Sequence, residues 1–233
     1  MCETCGCGDP EIVPVEVAES LLRDNDRTAN HNREHFLRDS LLAVNLMGSP
    51  GCGKTALLEA TAQHLAGTWN IGAFSGDLAT DNDARRLAAA GIQSHAITTG
   101  SACHLDARLV HRAMHETAWQ NLDLLVVENV GNLVCPAIYD LGQQVNIVAL
   151  AVTEGEDKPL KYPVMFREAD LVVLTKVDLL PYLDVDVAAI EDALARTMPE
   201  PRMIRVSAKT GEGLDDWLGY LKKLRVATEA VAA

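Results

Sequence analysis

The sequence predicts an α/β protein, a mostly parallel sheet with helices on both faces. Short apolar runs alternate with amphipathic stretches along most of the chain, the pattern of strand–helix–strand units. A glycine-rich segment of the form G-x-x-x-x-G-K-[ST], Gly48 to Thr55, sits between an apolar run and an amphipathic one. The chain has 233 residues, 48% hydrophobic and 23% charged. That is an ordinary globular balance, and a chain of this size buries roughly two-thirds or more of its surface on folding. It needs neither disulfides nor a structural metal to hold a core.

Residues 1–14 read as a flexible tail, cysteine-rich and broken by Gly6, Gly8, Pro10 and Pro14. Residues 15–37 read as a helical segment, Val15 to Ala29, followed by a polar connector from His31. Val17, Leu21 and Leu22 share one side of that helix. The body, 38–225, then alternates. Strands are predicted at Leu41–Met47, Ile71–Ser75, Ser94–Thr98, Leu122–Val127, Asn146–Val152, Leu171–Thr175 and Met203–Val206, short runs that are mostly apolar. Helices are predicted at Thr55–Ala66, Ala84–Ala90 (ended by Gly91), His104–Trp119, Val187–Arg196 and Leu214–Leu224. Residues 226–233 read as a frayed end.

Charge narrows the function. Lys plus Arg number 20 and Asp plus Glu 33, a net charge of −13. Such a field repels nucleic-acid backbones, yet a few aimed backbone donors can still hold one mononucleotide. No apolar run reaches the ~20 residues of a membrane span, and the first residues lack the basic and apolar regions of a signal peptide. A cytoplasmic protein is expected. In that reducing compartment the six cysteines serve as metal ligands, reactive groups or buried filler rather than disulfides.

The most specific signal is Gly48-Ser49-Pro50-Gly51-Cys52-Gly53-Lys54-Thr55. Its glycines let successive N–H groups converge on phosphate oxygens, Lys54 reaches the β- and γ-phosphates, and Thr55 offers its hydroxyl to Mg²⁺. Cys52 occupies a variable position and reads as filler. Glu128 ends an apolar strand and is the expected second Mg²⁺ contact, since a lone carboxylate there would be costly. Asp77, after the preceding strand, is the candidate switch carboxylate. Asp81 and Asp83 compete for that role, with Asp81 better suited to capping the next helix. Thr175-Lys176-Val177-Asp178 and Ser207-Ala208-Lys209 follow two later strands. The Asp178 carboxylate can accept two parallel hydrogen bonds from guanine N1–H and N2–H₂, and the Lys176 stem can lie over the purine. No catalytic base stands out, so catalysis rests on positioning and electrostatics. Intrinsic turnover well below ~10 s⁻¹ is expected.

Soft donors fall in two groups. Cys103-His104 and Cys135 follow strands whose carboxyl ends share the nucleotide edge of a parallel sheet. Two thiolates and an imidazole suit Zn²⁺ or Ni²⁺. Three donors fit a site shared across a dimer, or one with an exchangeable fourth ligand, better than a closed structural site. His104, His111 and His115 fall within about 40° on a helical wheel; His111 and His115 read as a solvated face outside the ligand set. In the tail, Cys2, Cys5 and Cys7, joined by the α-amine if Met1 is removed, form an S₃N set. Square-planar Ni²⁺ suits it, and tetrahedral Zn²⁺ is accepted.

The phosphate loop, Glu128-Asn129-Val130-Gly131-Asn132, Cys103-His104-Leu105-Asp106-Ala107 and Cys135-Pro136 together resemble the hydrogenase maturation nickel-insertion GTPases, the HypB family. The resemblance runs from about residue 38 to 225. The Cys2-Glu3-Thr4-Cys5-Gly6-Cys7 tail resembles the subset with an N-terminal high-affinity nickel site. The resemblance implies a P-loop GTPase of the signal-recognition-particle and nickel-chaperone class, dimerising with nucleotide or metal. It implies GTP, Mg²⁺ and Ni²⁺ as ligands, with nickel or zinc at Cys103, His104 and Cys135 near the dimer interface. It also implies a HypA-type nickel chaperone and the [NiFe]-hydrogenase large subunit as partners. Thr175 departs from the usual Asn of N-K-x-D, and no His-rich stretch suited to nickel storage joins tail to body. A urease-type nickel GTPase would not need the tail thiols. A P-loop small-molecule kinase would have no use for Asp178 with Ser207-Ala208-Lys209. Because Glu128 and Cys135 share a loop, nucleotide and metal are expected to influence each other.

Overall fold

The computed structural model describes residues 15–77, 81–100 and 102–232. The tail cysteines Cys2, Cys5 and Cys7 lie outside the described residues. Seven strands form one parallel sheet in the order β3-β2-β4-β1-β5-β6-β7. They are β1 (Leu42–Met47), β2 (Ile71–Asp77), β3 (Gln93–Thr98), β4 (Leu124–Glu128), β5 (Val145–Ala151), β6 (Leu171–Thr175) and β7 (Met203–Val206). The helices are α1 (Val15–Arg38), α2 (Lys54–Leu65), α3 (Asn82–Ala89), α4 (Ala107–Glu116), α5 (Lys158–Lys161), α6 (Pro163–Arg167), α7 (Val187–Thr197) and α8 (Leu214–Ala232).

Period-two alternation divides each central strand between two cores. Leu42, Val44 and Leu46 face Leu57, Leu58, Trp217 and Leu221 of α2 and α8. Ala43 faces the opposite side with Phe36 of α1 and Val110 of α4, and Met47 turns toward the α6 and α7 side with Phe166 and Ile190. Buried on both faces, β1, β4 and β6 are apolar except at Asn45, Glu128 and Thr175, which is why they read as near-continuous apolar runs. Because the chain departs from β1 toward β2 and β3 and later extends from β5 the other way, the loop after β1 opens at a topological switch, where ligands of such sheets bind.

Three elements differ from the sequence expectation. The predicted connector from His31 is helical, and α1 continues to Arg38. No glycine or proline interrupts residues 15–38, and tertiary contacts secure the second half. Asn32 is fully buried, its Nδ2 donating to Ala107 O at 2.9 Å and Leu141 O at 3.1 Å, and Phe36 packs edge-on against Trp119. The helix expected from His104 begins only at Ala107, because the Asp106 side chain accepts from Leu109 N at 2.8 Å and caps it. His104 therefore precedes the helix and does not share a face with His111 and His115. The frayed end expected at 226–233 is helical to Ala232. Arg225 holds it by bridging Asp123 at 2.7 Å and Glu229 at 3.1 Å, and Thr228 is buried. Among the described residues, no helix is long and apolar enough to cross a membrane.

Replacing Asn32 by Ala strands two buried carbonyls between α1, α4 and the Leu141 turn. It should lower stability by about 2 kcal/mol, read as a fall in the urea midpoint at unchanged m-value.

Candidate functional site

The phosphate loop leaves β1 at Gly48 and enters α2 at Gly53. Both need glycine: a Cβ on Gly48 (φ +146) would meet the Ala149 carbonyl, and Gly53 (φ +98) is left-handed at the N-terminus of α2. Lys54 is buried and its ammonium arches back over the loop, 3.3 Å from Gly48 O and 3.2 Å from Ser49 O. The Ser49 hydroxyl is held by Glu154, which also accepts from Ala151 N at 2.8 Å. A cavity of about 430 Å³ opens beside the loop, bordered by Lys54, Thr55, Asp77, Asp83, Glu128 and Gly131. Backbone donors, a buried ammonium and the positive end of a 12-residue helix make this an anion site.

Acids converge on its floor. Thr55 Oγ1 lies 2.8 Å from Glu128 Oε1 and 3.0 Å from Asp83 Oδ1. The hydroxyl has one proton, so it satisfies one carboxylate at a time. Glu128 is 3% exposed, and burial pushes its pKa above the usual carboxylate range despite the Thr55 hydroxyl and nearby Lys54. Two carboxylates and a hydroxyl around one point are a hard-oxygen set suited to Mg²⁺. Asp77, at the end of β2, lines the same cavity. Asp81 stands at the N-cap of α3 without a side-chain capping bond and pairs with Arg85 at 3.0 Å.

A second cavity, about 260 Å³, lies across the loop between Thr175, Lys176, Asp178, Ala208 and Lys209. Asp178 Oδ1 accepts from Ser207 Oγ at 2.7 Å, which orients the carboxylate. Lys176 takes a left-handed backbone (φ 59) and its Nζ reaches Gly51 O at 2.6 Å. Thr175 Oγ1 donates to Cys52 O at 2.5 Å, tying β6 to the phosphate loop. Cys52 is 1% exposed, packed under Gly48, and burial keeps it a thiol. It serves through its carbonyl.

On the same sheet edge, Cys103 and Cys135 come together, with their sulfurs 3.0 Å apart and His104 Nδ1 3.9 Å from Cys103 Sγ. Among the described residues this trio is the group of three whose ligand atoms all lie within 4.8 Å of one another. The His104 ring stacks on Tyr139 (centroids 4.0 Å, 17°), and burial lowers its pKa, favouring the neutral ligand form. The thiol–thiol hydrogen bond and burial raise the Cys135 pKa.

The metal trio and the cradle are joined by residues the sequence did not single out for that task. Asn129 is buried; its Oδ1 accepts from Leu105 N at 3.1 Å, next to His104, and its Nδ2 donates to Asn45 Oδ1 at 3.1 Å. Gly131 packs against Pro50, where any Cβ would clash, and Gly48 bridges Asn132. Asp83, rather than Asp77, is the acid seen on Thr55. Nothing marks Glu154 as a loop partner in one dimension, because it lies 105 residues from Ser49.

Residues 42–205 match the family described as CobW/HypB/UreG, nucleotide-binding domain. Over 213 residues the chain is 47% identical to hydrogenase maturation factor HypB of Azotobacter chroococcum mcd 1, covering 91% of this chain and 70% of that one. It is 38% identical to the crystal structure of HypB from Helicobacter pylori in complex with nickel, with TM-score 0.83, covering 88% of this chain and 97% of that chain. Signal recognition particle 54 kDa protein from Aeropyrum pernix K1, in complex with GDP, shares the fold at 14% identity and TM-score 0.54, over 82% of this chain and 50% of that chain.

Glu128 yields a stability prediction. An acid whose folded pKa is raised binds its proton more tightly folded than unfolded, so stability falls as pH rises from the unfolded pKa through the folded one. Glu128→Gln should remove that loss. In the absence of divalent cations the variant should melt higher than wild type at pH 7, with the gap closing below about pH 4.

Proposed function

The chain belongs to the CobW/HypB/UreG family, and on that footing we propose that it is a GTP-hydrolysing nickel metallochaperone that delivers Ni²⁺ to the large subunit of [NiFe]-hydrogenase. The observation that carries this is the soft Cys103–His104–Cys135 set, hydrogen-bonded and packed into the same loops that form the phosphate cavity. A structural zinc site would not need to sit beside a nucleotide. A metal that must be released on a signal would.

Guanine selectivity rests on Asp178, presented by Ser207, with Lys176 and Lys209 flanking the base cavity. Lys54 and the loop amides bind the triphosphate and offset the charge that develops as the γ-phosphoryl group transfers to water. Thr55 and Glu128 would hold Mg²⁺, which would supply charge neutralisation to the phosphates, with Asp83 or Asp77 as the switch carboxylate. Among the described residues the cavity acids Asp83 and Glu128 are engaged on Thr55, and slow intrinsic hydrolysis is the expectation. Nickel is cargo. It would enter through the Cys2, Cys5, Cys7 tail and pass to Cys103, His104 and Cys135, where zinc is the competing occupant. Three donors leave the fourth position to a second copy of the chain or to the recipient, so a homodimer formed with nucleotide or metal is the expected working unit. A HypA-type chaperone is the expected partner, and the cytoplasm the expected compartment. The tail thiols favour hydrogenase over urease as the client, and Asp178 with Ser207 favours a GTPase over a small-molecule kinase.

Complementation tests this reading. In a host lacking its own nickel-insertion factor, the wild-type chain should restore hydrogenase activity. Cys103→Ser with Cys135→Ser should lower it at least about tenfold, the scale of a damaged metal site. Restoration of urease but not hydrogenase, or full activity in the double variant, would overturn it.

A further inference from the structure

A second group of metal-binding side chains lies outside this edge, on the packed pair α1 and α4. Each helix carries two histidines four residues apart, His31 and His35 on α1 and His111 and His115 on α4. That spacing puts both rings of a pair on one helix face, the arrangement by which a helix offers two imidazoles to one ion. The pairs face each other. Ring centroids are 4.5 Å apart for His31–His35, 4.6 Å for His111–His115, 5.2 Å for His31–His111 and 6.3 Å for His35–His111.

These spacings have a coordination meaning. With metal–nitrogen distances of about 2.0–2.1 Å, two imidazoles on one ion have ligating nitrogens ~2.9 Å apart at a right angle and ~3.4 Å apart at the tetrahedral angle. Ring centroids are then about 4.5 and 5.2 Å apart. In each pair the two Nε2 atoms share a hydrogen bond of 3.0 Å, a spacing that two ligands of one ion would also have once that proton is displaced. Across the pairs no three ligand atoms lie within 4.8 Å of one another among the described residues, so binding one ion requires the rings to close further.

The surroundings favour metal over mere solvation. Asn32 donates both its side-chain hydrogens to backbone carbonyls, so its Oδ1, 3.0 Å from His111 Nδ1, must accept. The His111 proton is thereby fixed on Nδ1, leaving Nε2 as a lone pair aimed at His115. This is the outer-shell hydrogen bond that orients a ligating histidine. His35 Nδ1 is buried and has no hydrogen-bond partner among the described residues. Burial and neighbouring imidazoles lower the pKa of His35 and His111, keeping them in the neutral form that ligates. A cavity of about 210 Å³ adjoins His35, His111 and His115. Arg38 borders it, with its charge offset by Asp39 at 3.2 Å.

We propose that His31, His35, His111 and His115 form a further, all-imidazole site for a borderline divalent cation, Zn²⁺ or Ni²⁺, clamping α1 to α4 independently of the cysteine sites. The test counts bound ions on the full chain. Native mass spectrometry with saturating Zn²⁺ should show the His35→Gln/His115→Gln variant holding one ion per chain fewer than wild type. Its circular dichroism and its thiolate-to-Ni²⁺ charge-transfer absorption should be unchanged. Should that variant lose helical signal, His31→Gln/His111→Gln and the wild-type imidazole ¹⁵N resonances decide instead, with zinc shifting the ligating nitrogens of all four rings. Equal stoichiometry in folded variants, or imidazole resonances indifferent to zinc, would overturn the proposal.

Discussion

The site is organised by a carboxylate and an amide buried side by side at the carboxyl end of β4. Glu128 and Asn129 are 3% and 1% exposed, in a position where an uncompensated polar group would be costly. Neighbouring side chains compensate both groups. Thr55 and Ser75 hydroxyls and nearby Lys54 serve Glu128. The Asn129 side chain is used in full on one side: its oxygen takes Leu105 N and Val130 N, its nitrogen meets Asn45, and its backbone N–H reaches Leu46 O at 3.0 Å. Two consecutive residues therefore anchor the phosphate loop, the sheet and the segment after His104.

That arrangement gives a physical route from nucleotide to metal. A cation or phosphate drawn to Thr55 acts on Glu128. On this account an adjustment there would reach Asn129 and so Leu105, one residue from His104. A parallel route runs through packing, since Gly131 lies against Pro50 and Asn132 bridges Gly48, three residues before Cys135. Tight packing transmits such shifts rather than absorbing them. Thr175 and Lys176 tie the base-binding side to the same loop through Cys52 O and Gly51 O. Thr175, where many GTPases carry Asn, thus still performs a structural task.

Much of this was legible in one dimension because it depends on local chemistry. The apolar strands, the glycine-lysine cradle and the order of Glu128, Asp178 and Ser207 follow from periodicity and spacing. The approach of Cys103 to Cys135 follows from a parallel sheet, whose strand ends share an edge. What could not be read depends on contacts between distant segments. The connector became helix because Asn32 found carbonyls 75 and 109 residues away. The C-terminal helix persisted because Arg225 found Asp123. His115 is exposed as a solvated face would be; the apposition of His111 to His31 and His35 depends on where α1 packs, which one dimension does not give. The early start assigned to α4 came from following periodicity past Asp106, a residue whose capping tendency was the better signal.

The central claim is that nucleotide and metal bind to one coupled unit through Glu128 and Asn129. The direct measurement is a thermodynamic cycle: the dissociation constant of a non-hydrolysable GTP analogue with and without Ni²⁺, on a chain with its tail cysteines replaced by serine, repeated with Asn129→Ala. The account predicts that nickel changes nucleotide affinity, and nucleotide changes nickel affinity, by the same factor of roughly 5 or more, and that Asn129→Ala brings the factor toward one. Equal analogue affinity with and without nickel would contradict it.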